Sequence, residues 1–148
     1  MFFTKKIKEN GKSHLKDEKA VTIGRLGEDA AVEFLKKNGY TVIERNYRAG
    51  RNEIDIIAVD KSYIVFVEVK ARTYKNESEM PYGRPAAAVT YEKRQRVVTA
   101  AKEYLRLRGN SGKQPRIDVI EVFLAYSPKF ACTKEVQRIN HIVNAFGA

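Results

Sequence analysis

Two neighbouring segments of the sequence place charged side chains inside strongly apolar runs. Glu68 and Lys70 follow the run 64–67, and Asp55 interrupts the run 54–58. Charges in such surroundings are costly unless they are paired or coordinate a metal. Because side chains alternate along a strand, Glu68 and Lys70 are expected on one face. A simple ion pair where the strand leaves the core is the alternative explanation of these two charges.

The chemistry available to Asp55 depends on the connection between the two segments. If Lys61 and Ser62 form a two-residue hairpin turn, Asp55 lies opposite Glu68, with about 5 Å between their Cβ atoms. Carboxylates so close repel and raise one pKa, and a divalent cation relieves that conflict. Oxygen ligands without cysteine favour Mg²⁺ or Mn²⁺ over zinc. A turn of another length would shift the register and change the face.

A third acid, Glu28, is predicted at the inner edge of a helix. Helical spacing places Gly24 and Ala31 beside it, whereas Asp29 falls on the solvent side. We expect Glu28 to point toward the sheet, with Gly24 and Gly27 permitting a close approach. A boundary glutamate that reaches water, or an acid favoured by the helix dipole, is the alternative.

The elements that position these residues predict one α/β domain over residues 22–148, after a flexible basic tail over residues 1–21. The pattern predicts a helix over 23–38 capped by Thr22, strands over 40–46, 53–59 and 63–71, a polar loop over 72–89, a helix over 90–108 capped by Thr90, and strands over 117–125 and 136–143. This order, αβββαββ, predicts a mixed central sheet flanked by helices. The alternation also predicts Ile54, Ile56 and Ala58 on one face of their strand.

The composition indicates the class of partner. The 148 residues contain 28 Lys and Arg against 18 Asp and Glu, a net charge of +10. This excess favours a polyanion such as nucleic acid, although many proteins are simply basic. No apolar run reaches the roughly 20 residues of a membrane span, and no signal peptide is evident, so we expect a cytoplasmic protein without a membrane partner. The single cysteine, Cys132, excludes an intrachain disulfide.

The same segments resemble a known bacterial family. Residues 24–31, 53–58 and 65–72 resemble the G-x-x-G-E-x-x-A, E-I-D and F-V-E-V-K-x-R motifs of the YraN-like family. Residues 82–85, Lys93, 116–119 and 144–146 fit as well, so the resemblance covers residues 23–146 in order. Two departures are that Asn52 stands where a glycine is usual and that no proline precedes Asp55.

The resemblance implies a restriction-endonuclease-like fold of the PD-(D/E)XK superfamily, related to Holliday-junction resolvases. We therefore expect a Mg²⁺- or Mn²⁺-dependent endonuclease that hydrolyses phosphodiester bonds. The resemblance does not define the substrate, and branched or recombination and repair DNA is one expected substrate. Asp55, Glu68 and Glu28 would hold the metal. Lys70 would position the attacking water or neutralise charge at phosphorus, and Glu53 is a weaker candidate.

Basic residues beside the implied site are expected to contact phosphates, unless they form a solvated basic face. They are Arg72, Lys75, Arg84, Lys93, Arg94 and Arg96. DNA is expected in preference to RNA, with recognition by backbone and shape. A non-catalytic nucleic-acid-binding or scaffold protein that retains the fold is the other hypothesis. Nothing in the sequence identifies a homodimer surface.

Overall fold

Five strands and two helices form the described part of the chain, which comprises residues 23–75, 77–79, 89–126 and 134–147 of a computed structural model. They are α1 (residues 23–37), β1 (Thr41–Ala49), β2 (Asn52–Val59), β3 (Tyr63–Tyr74), α2 (Tyr91–Arg108), β4 (Gln114–Tyr126) and β5 (Lys134–Ile142), with a 3₁₀ turn over Glu77–Glu79. The predicted order αβββαββ is confirmed. The predicted tail, the Thr22 cap, Arg84 and Cys132 lie outside the described residues. In the part of the chain described, no helix combines the length and apolar character needed to cross a bilayer.

The strands form one mixed sheet in the order β1-β2-β3-β4-β5. β3 and β4 are parallel, and the other neighbouring pairs are antiparallel. A parallel pair needs a crossover connection, and α2 lies in it. The run 64–67 in β3 is buried, as predicted for a central strand.

Several strands are longer than the sequence pattern predicts. β3 continues to Tyr74 and β4 begins at Gln114, because the two pair in parallel from Tyr63–Gln114 to Tyr74–Ala125. Residues 72–74, predicted as loop, are therefore strand, since backbone hydrogen bonds to β4 hold them whatever their side-chain pattern. β1 likewise pairs with β2 as far as Ala49, which reduces the predicted turn over 48–51 to two residues.

Each helix covers one face of the sheet. On one face the buried residues of α1 pack on β2, β3 and β4, and on the other face α2 packs on β2 and β3. The first cluster contains Ala31, Val32, Leu35, Ile56, Ala58, Val65, Val67, Ile120, Val122 and Leu124. The second contains Tyr47, Ile54, Ile57, Ile64, Phe66, Val97, Val98, Ala100, Ala101, Tyr104 and Ile117. Thr90 caps α2 as predicted, because its side chain accepts a hydrogen bond from the Lys93 N–H.

The helix α1 approaches β3 closely at Gly27. A Cβ atom at this position would lie 2.6 Å from the Cβ of Ala71, so a side chain would require displacement of the backbone. The predicted close approach at Gly24 is wrong, because a Cβ there would have nothing within 4 Å. Gly27 therefore explains how the first turns of α1, including Glu28, are held against the sheet.

A buried ion network joins β4 to β5 on the α1 face. The carboxylate of Asp118 is fully buried and accepts two hydrogen bonds from Arg116, both at 2.9 Å. It also lies 2.7 Å from Nε2 of His141 and accepts a 2.9 Å hydrogen bond from the Asn144 N–H. The guanidinium of Arg116 donates in turn to the hydroxyl of Tyr40 at 2.7 Å. These contacts satisfy the buried carboxylate and give His141 a structural role.

Candidate functional site

A two-residue turn joins β2 to β3, as predicted. Oδ1 of Asp60 accepts hydrogen bonds from the N–H groups of Ser62 at 2.8 Å and Tyr63 at 2.7 Å. The antiparallel pairing that follows ends one pair before Asp55 and Glu68, which are the next positions in the same register. The predicted hairpin register is therefore confirmed, and it brings the two carboxylates together.

The carboxyl group of Asp55 is perturbed by its surroundings. The pKa of Asp55 is raised to about 7, chiefly by burial and then by the negative charge of Glu68, and a hydrogen bond between the two carboxyl groups acts in the same direction. The Val69 N–H donates to Oδ2 of Asp55 at 2.8 Å and, with the charge of Lys93, opposes that rise in pKa. Two adjacent carboxylates cannot both ionise cheaply at neutral pH without added positive charge.

Glu68 is buried, with 3% of its surface exposed, and its two oxygens differ. Oε1 lies 3.4 Å from Nζ of Lys93 at the start of α2. With both carboxyl groups ionised, Oε2 has no hydrogen-bond partner among the described residues, although it is buried. An unpartnered buried acceptor costs free energy, which a ligand on Oε2 would recover.

Glu28 lies at the edge of this pair and points toward the sheet, as predicted. Its carboxylate is 3.7 Å from Nη2 of Arg45 and its side chain is 22% exposed. Burial raises the pKa of Glu28, and Asp55 and Glu53 raise it further, while Asn46 and Arg45 lower it. Glu28 therefore belongs to the same electrostatic environment as Asp55.

The strand alternation around Asp55 differs from the prediction. Ile56 packs on the α1 face, but Ile54 packs on the α2 face, where the prediction placed both residues together. On β1, Asn46 lies between the partners of Ile56 and Ile54 and has a left-handed backbone with φ 51°. Asp55 therefore interacts electrostatically with residues from both helices, namely Glu28 of α1 and Lys93 of α2.

The acids provide the oxygen donors that a divalent cation such as Mg²⁺ prefers, but they do not form a complete set of ligands around one point. Among the described residues, no three His, Cys, Asp or Glu side chains are close enough to form a ready metal cage. Asp55 and Glu68 are the adjacent pair, and Glu28 lies farther out. A cation on the pair would supply the missing positive charge and a partner for Oε2 of Glu68, with Glu28 reaching it through water.

Sequence reasoning missed a further buried acid, Glu121. The parallel register places Glu121 of β4 beside Lys70 of β3, on the face that also carries Glu68. Glu121 is 1% exposed; Nδ2 of Asn140 is 3.5 Å from Oε2, and Oε1 has no hydrogen-bond partner among the described residues. The available signal was that β4, like β3, is an apolar strand interrupted by charge, at Asp118 and Glu121.

Two of the predicted phosphate-binding residues, Lys93 and Arg94, lie in the first turn of α2, and their side chains contact different parts of the protein. Lys93 contacts Glu68, so it lies at the site. Nε of Arg94 donates to the Val89 carbonyl at 3.0 Å, and its guanidinium lies 5.5 Å from the ring centroid of Phe146. Arg94 therefore packs against the C-terminal segment and is not brought to the acids.

Of the remaining predicted basic residues, three lie in the described part of the chain. Arg72 is half-buried within β3, and its predicted place in a loop is wrong because β3 continues to Tyr74. Lys75 is exposed, and its N–H donates to Oε2 of Glu79 at 3.3 Å. Arg96 is exposed on α2, and Arg84 is outside the described residues.

Replacing Asp55 by asparagine should change how stability depends on pH. The folded carboxyl keeps its proton to about pH 7, whereas the unfolded one loses it near 3.8. Ionisation therefore lowers the free energy of unfolding as pH rises between these values, by roughly 2–4 kcal/mol, and Asp55→Asn removes that loss. Urea unfolding in EDTA between about pH 4.5 and 8.5 should show the variant gaining on the wild type as pH rises. Parallel curves for the two proteins would contradict the assignment.

Comparison with known proteins places these residues in a shared region. Residues 27–122 match the model of the Uncharacterised protein family UPF0102. A UPF0102 protein of Caldanaerobacter subterraneus is 41% identical over 125 residues, 84% of this chain and 94% of that protein. A relative from Chloroherpeton thalassium is 40% identical over 126 residues, which are 85% of this chain and 94% of that protein. A relative from Desulfosudis oleivorans is 50% identical over 99 residues, which are 67% of this chain and 76% of that protein. The matched region includes all the acids described above.

Proposed function

This chain belongs to the UPF0102 family, the YraN-like family that its motifs resemble, and we propose that it is a metal-dependent nuclease that hydrolyses phosphodiester bonds in DNA. The observation that carries the proposal is the buried pair Asp55 and Glu68, in which burial raises the pKa of Asp55 and Oε2 of Glu68 has no donor among the described residues once both groups are ionised. Lys70 follows on the same face. Membership in the PD-(D/E)XK superfamily, with a restriction-endonuclease-like core, is part of this proposal.

The donor set fits Mg²⁺ or Mn²⁺. Asp55 and Glu68 would hold the ion directly and Glu28 through water, because only the first two are adjacent. When bound, such an ion polarises a phosphoryl oxygen and lowers the pKa of a coordinated water. The Val69 N–H fixes the orientation of the Asp55 carboxylate, so the pair is preorganised.

The basic residues at the site have separate roles. Lys70 presents a compact charge two residues beyond Glu68, where it would orient water or offset charge developing at phosphorus. Lys93 neutralises Glu68 at 3.4 Å and would turn to a phosphate once a cation takes over that role. Lys75 and Arg96 are exposed and suited to contact the DNA backbone farther out, with no information about base sequence.

A cleavage panel tests this function. Labelled single-stranded, duplex, flap and four-way DNA, with a matched RNA, should be incubated with Mg²⁺, Mn²⁺ or EDTA. We expect metal-dependent cleavage of at least one DNA substrate, reduced roughly 10²-fold or more by Lys70→Ala, the cost of one transition-state charge. Lys61→Ala, an exposed turn lysine, is the matched control and should cleave normally. Tight DNA binding without cleavage under any condition would instead identify a non-catalytic binding protein.

A further inference from the structure

A polar cleft opens beside the acids, between α1 and the end of the β1–β2 hairpin. Its volume is about 710 Å³, and its wall includes Arg25, Glu28, Arg48 and Glu53. Glu28 lines the cleft and is also the outer acid of the candidate site, so the cleft and the site meet at this residue. A molecule held in the cleft would reach that site.

The arginines of the cleft differ in how they are engaged. Arg45 is held by Asp29 at 2.7 Å and by Glu28 at 3.7 Å. Arg25 and Arg48 are exposed, and neither has an ion pair or hydrogen bond within the described residues. Arg48 pairs across the strands with Glu53 in register, yet no ion pair joins their side chains. Two arginines thus present unused donors beside the acids.

Gly24 contributes space to this cleft. It lines the opening, and a Cβ atom added there would meet nothing within 4 Å. Its absence of a side chain is therefore not required for packing, unlike that of Gly27. A larger side chain at Gly24 would therefore narrow the opening without a clash of its Cβ atom with the fold.

Resting on the proposed function, we infer that this cleft is the groove that receives the phosphodiester backbone, with Arg25 and Arg48 binding phosphates next to the one at the acids. Arginine forks match phosphate oxygens in geometry. The cleft lies on the β1–β2 side of the acids, whereas the exposed Lys75 directly follows β3 and the exposed Arg96 lies on α2. A nucleic acid strand crossing the acids would therefore be held on both sides.

Fluorescence anisotropy with the full chain tests the groove by binding alone. Labelled single-stranded, duplex and four-way DNA are titrated in Ca²⁺, at several salt concentrations. The double variant Arg25→Ala with Arg48→Ala should bind about tenfold or more weakly, and the slope of log affinity against log salt should fall by about 2. The control, Lys61→Ala with Lys102→Ala, removes the same charge from exposed positions outside the cleft and should bind like the wild type.

Gly24→Leu separates obstruction from loss of charge. A Cβ atom at this position meets nothing within 4 Å and leucine favours a helix over glycine, so we expect the variant to stay folded, which urea unfolding checks. We expect it to bind DNA several-fold more weakly, because its side chain enters the cleft. Wild-type binding by both Gly24→Leu and the double arginine variant would overturn the inference. The inference would also be overturned if polyglutamate displaced the labelled DNA as well as unlabelled DNA does, because the arginines would then not be selective for a phosphate backbone.

The two proposals can fail separately. Cleft-dependent DNA binding without cleavage would leave the groove standing and refute the nuclease. Cleavage that is unaffected by both cleft variants would leave the nuclease standing and refute the groove. Absence of DNA binding by the wild type would refute the groove directly.

Discussion

Glu68→Gln should reduce metal-dependent DNA cleavage by roughly 10²–10³-fold, which is the usual cost of removing one preorganised catalytic group. The substitution preserves volume at a position that is 3% exposed, so the core should remain packed. It removes the charge that a cation needs and that raises the pKa of Asp55. Single-turnover rates measure the first effect, and calorimetric Mg²⁺ titration should show weakened binding.

The matched control for this substitution is Glu103→Gln. Glu103 lies on α2, where it pairs with Arg106 at 2.6 Å on the protein surface. Its replacement should leave both cleavage and Mg²⁺ binding at the wild-type level. Urea unfolding of both variants checks that the fold is retained. Undiminished cleavage by Glu68→Gln would show that the buried pair does not serve the reaction.

Asp118→Ala should destabilise the fold by about 3–5 kcal/mol, because it breaks a buried ion network and leaves one partner charged. The fully buried carboxylate holds Arg116, His141 and the Asn144 N–H, all within 2.9 Å. Equilibrium urea unfolding measures the loss. Asp29→Ala removes an exposed carboxylate that pairs with Arg45 at 2.7 Å, and it should cost less than about 1 kcal/mol. Equal losses for the two variants would contradict the structural role of Asp118.

The pH dependence of this loss has a defined sign. Burial by itself raises the pKa of Asp118, but the hydrogen bonds from His141, Arg116 and the Asn144 N–H outweigh it and lower the pKa below 3.8. The stabilisation is therefore complete above about pH 4 and is lost as pH falls through the lowered pKa. The gap between wild type and Asp118→Ala should persist from about pH 5 to 8 and shrink in acid. Asp55 has the opposite trend, since its ionisation destabilises the fold as pH rises.

The facing carboxylates were predictable because local rules set their positions. A two-residue turn fixes the register of the strands that flank it, and Asp55 and Glu68 are equidistant from that turn. The helix capped by Thr90 and the buried run 64–67 follow from equally local signals, namely a capping residue and a continuous apolar stretch. Such features are determined by interactions between residues that are close in the sequence.

The remaining parts of the site depend on contacts between distant segments. Glu121 lies beside Lys70 only because β3 and β4 pair in parallel across the intervening α2, and no turn sets that register. Ile54 packs on the opposite face from Ile56 where β2 runs beside the left-handed backbone of Asn46, and period-two alternation cannot express such a change. A cleft beside Gly24 arises where α1 meets another hairpin. The order of elements and the acid pair thus follow from local hydrogen bonding and side-chain periodicity, whereas the neighbours of the pair follow from long-range packing, which no single segment encodes.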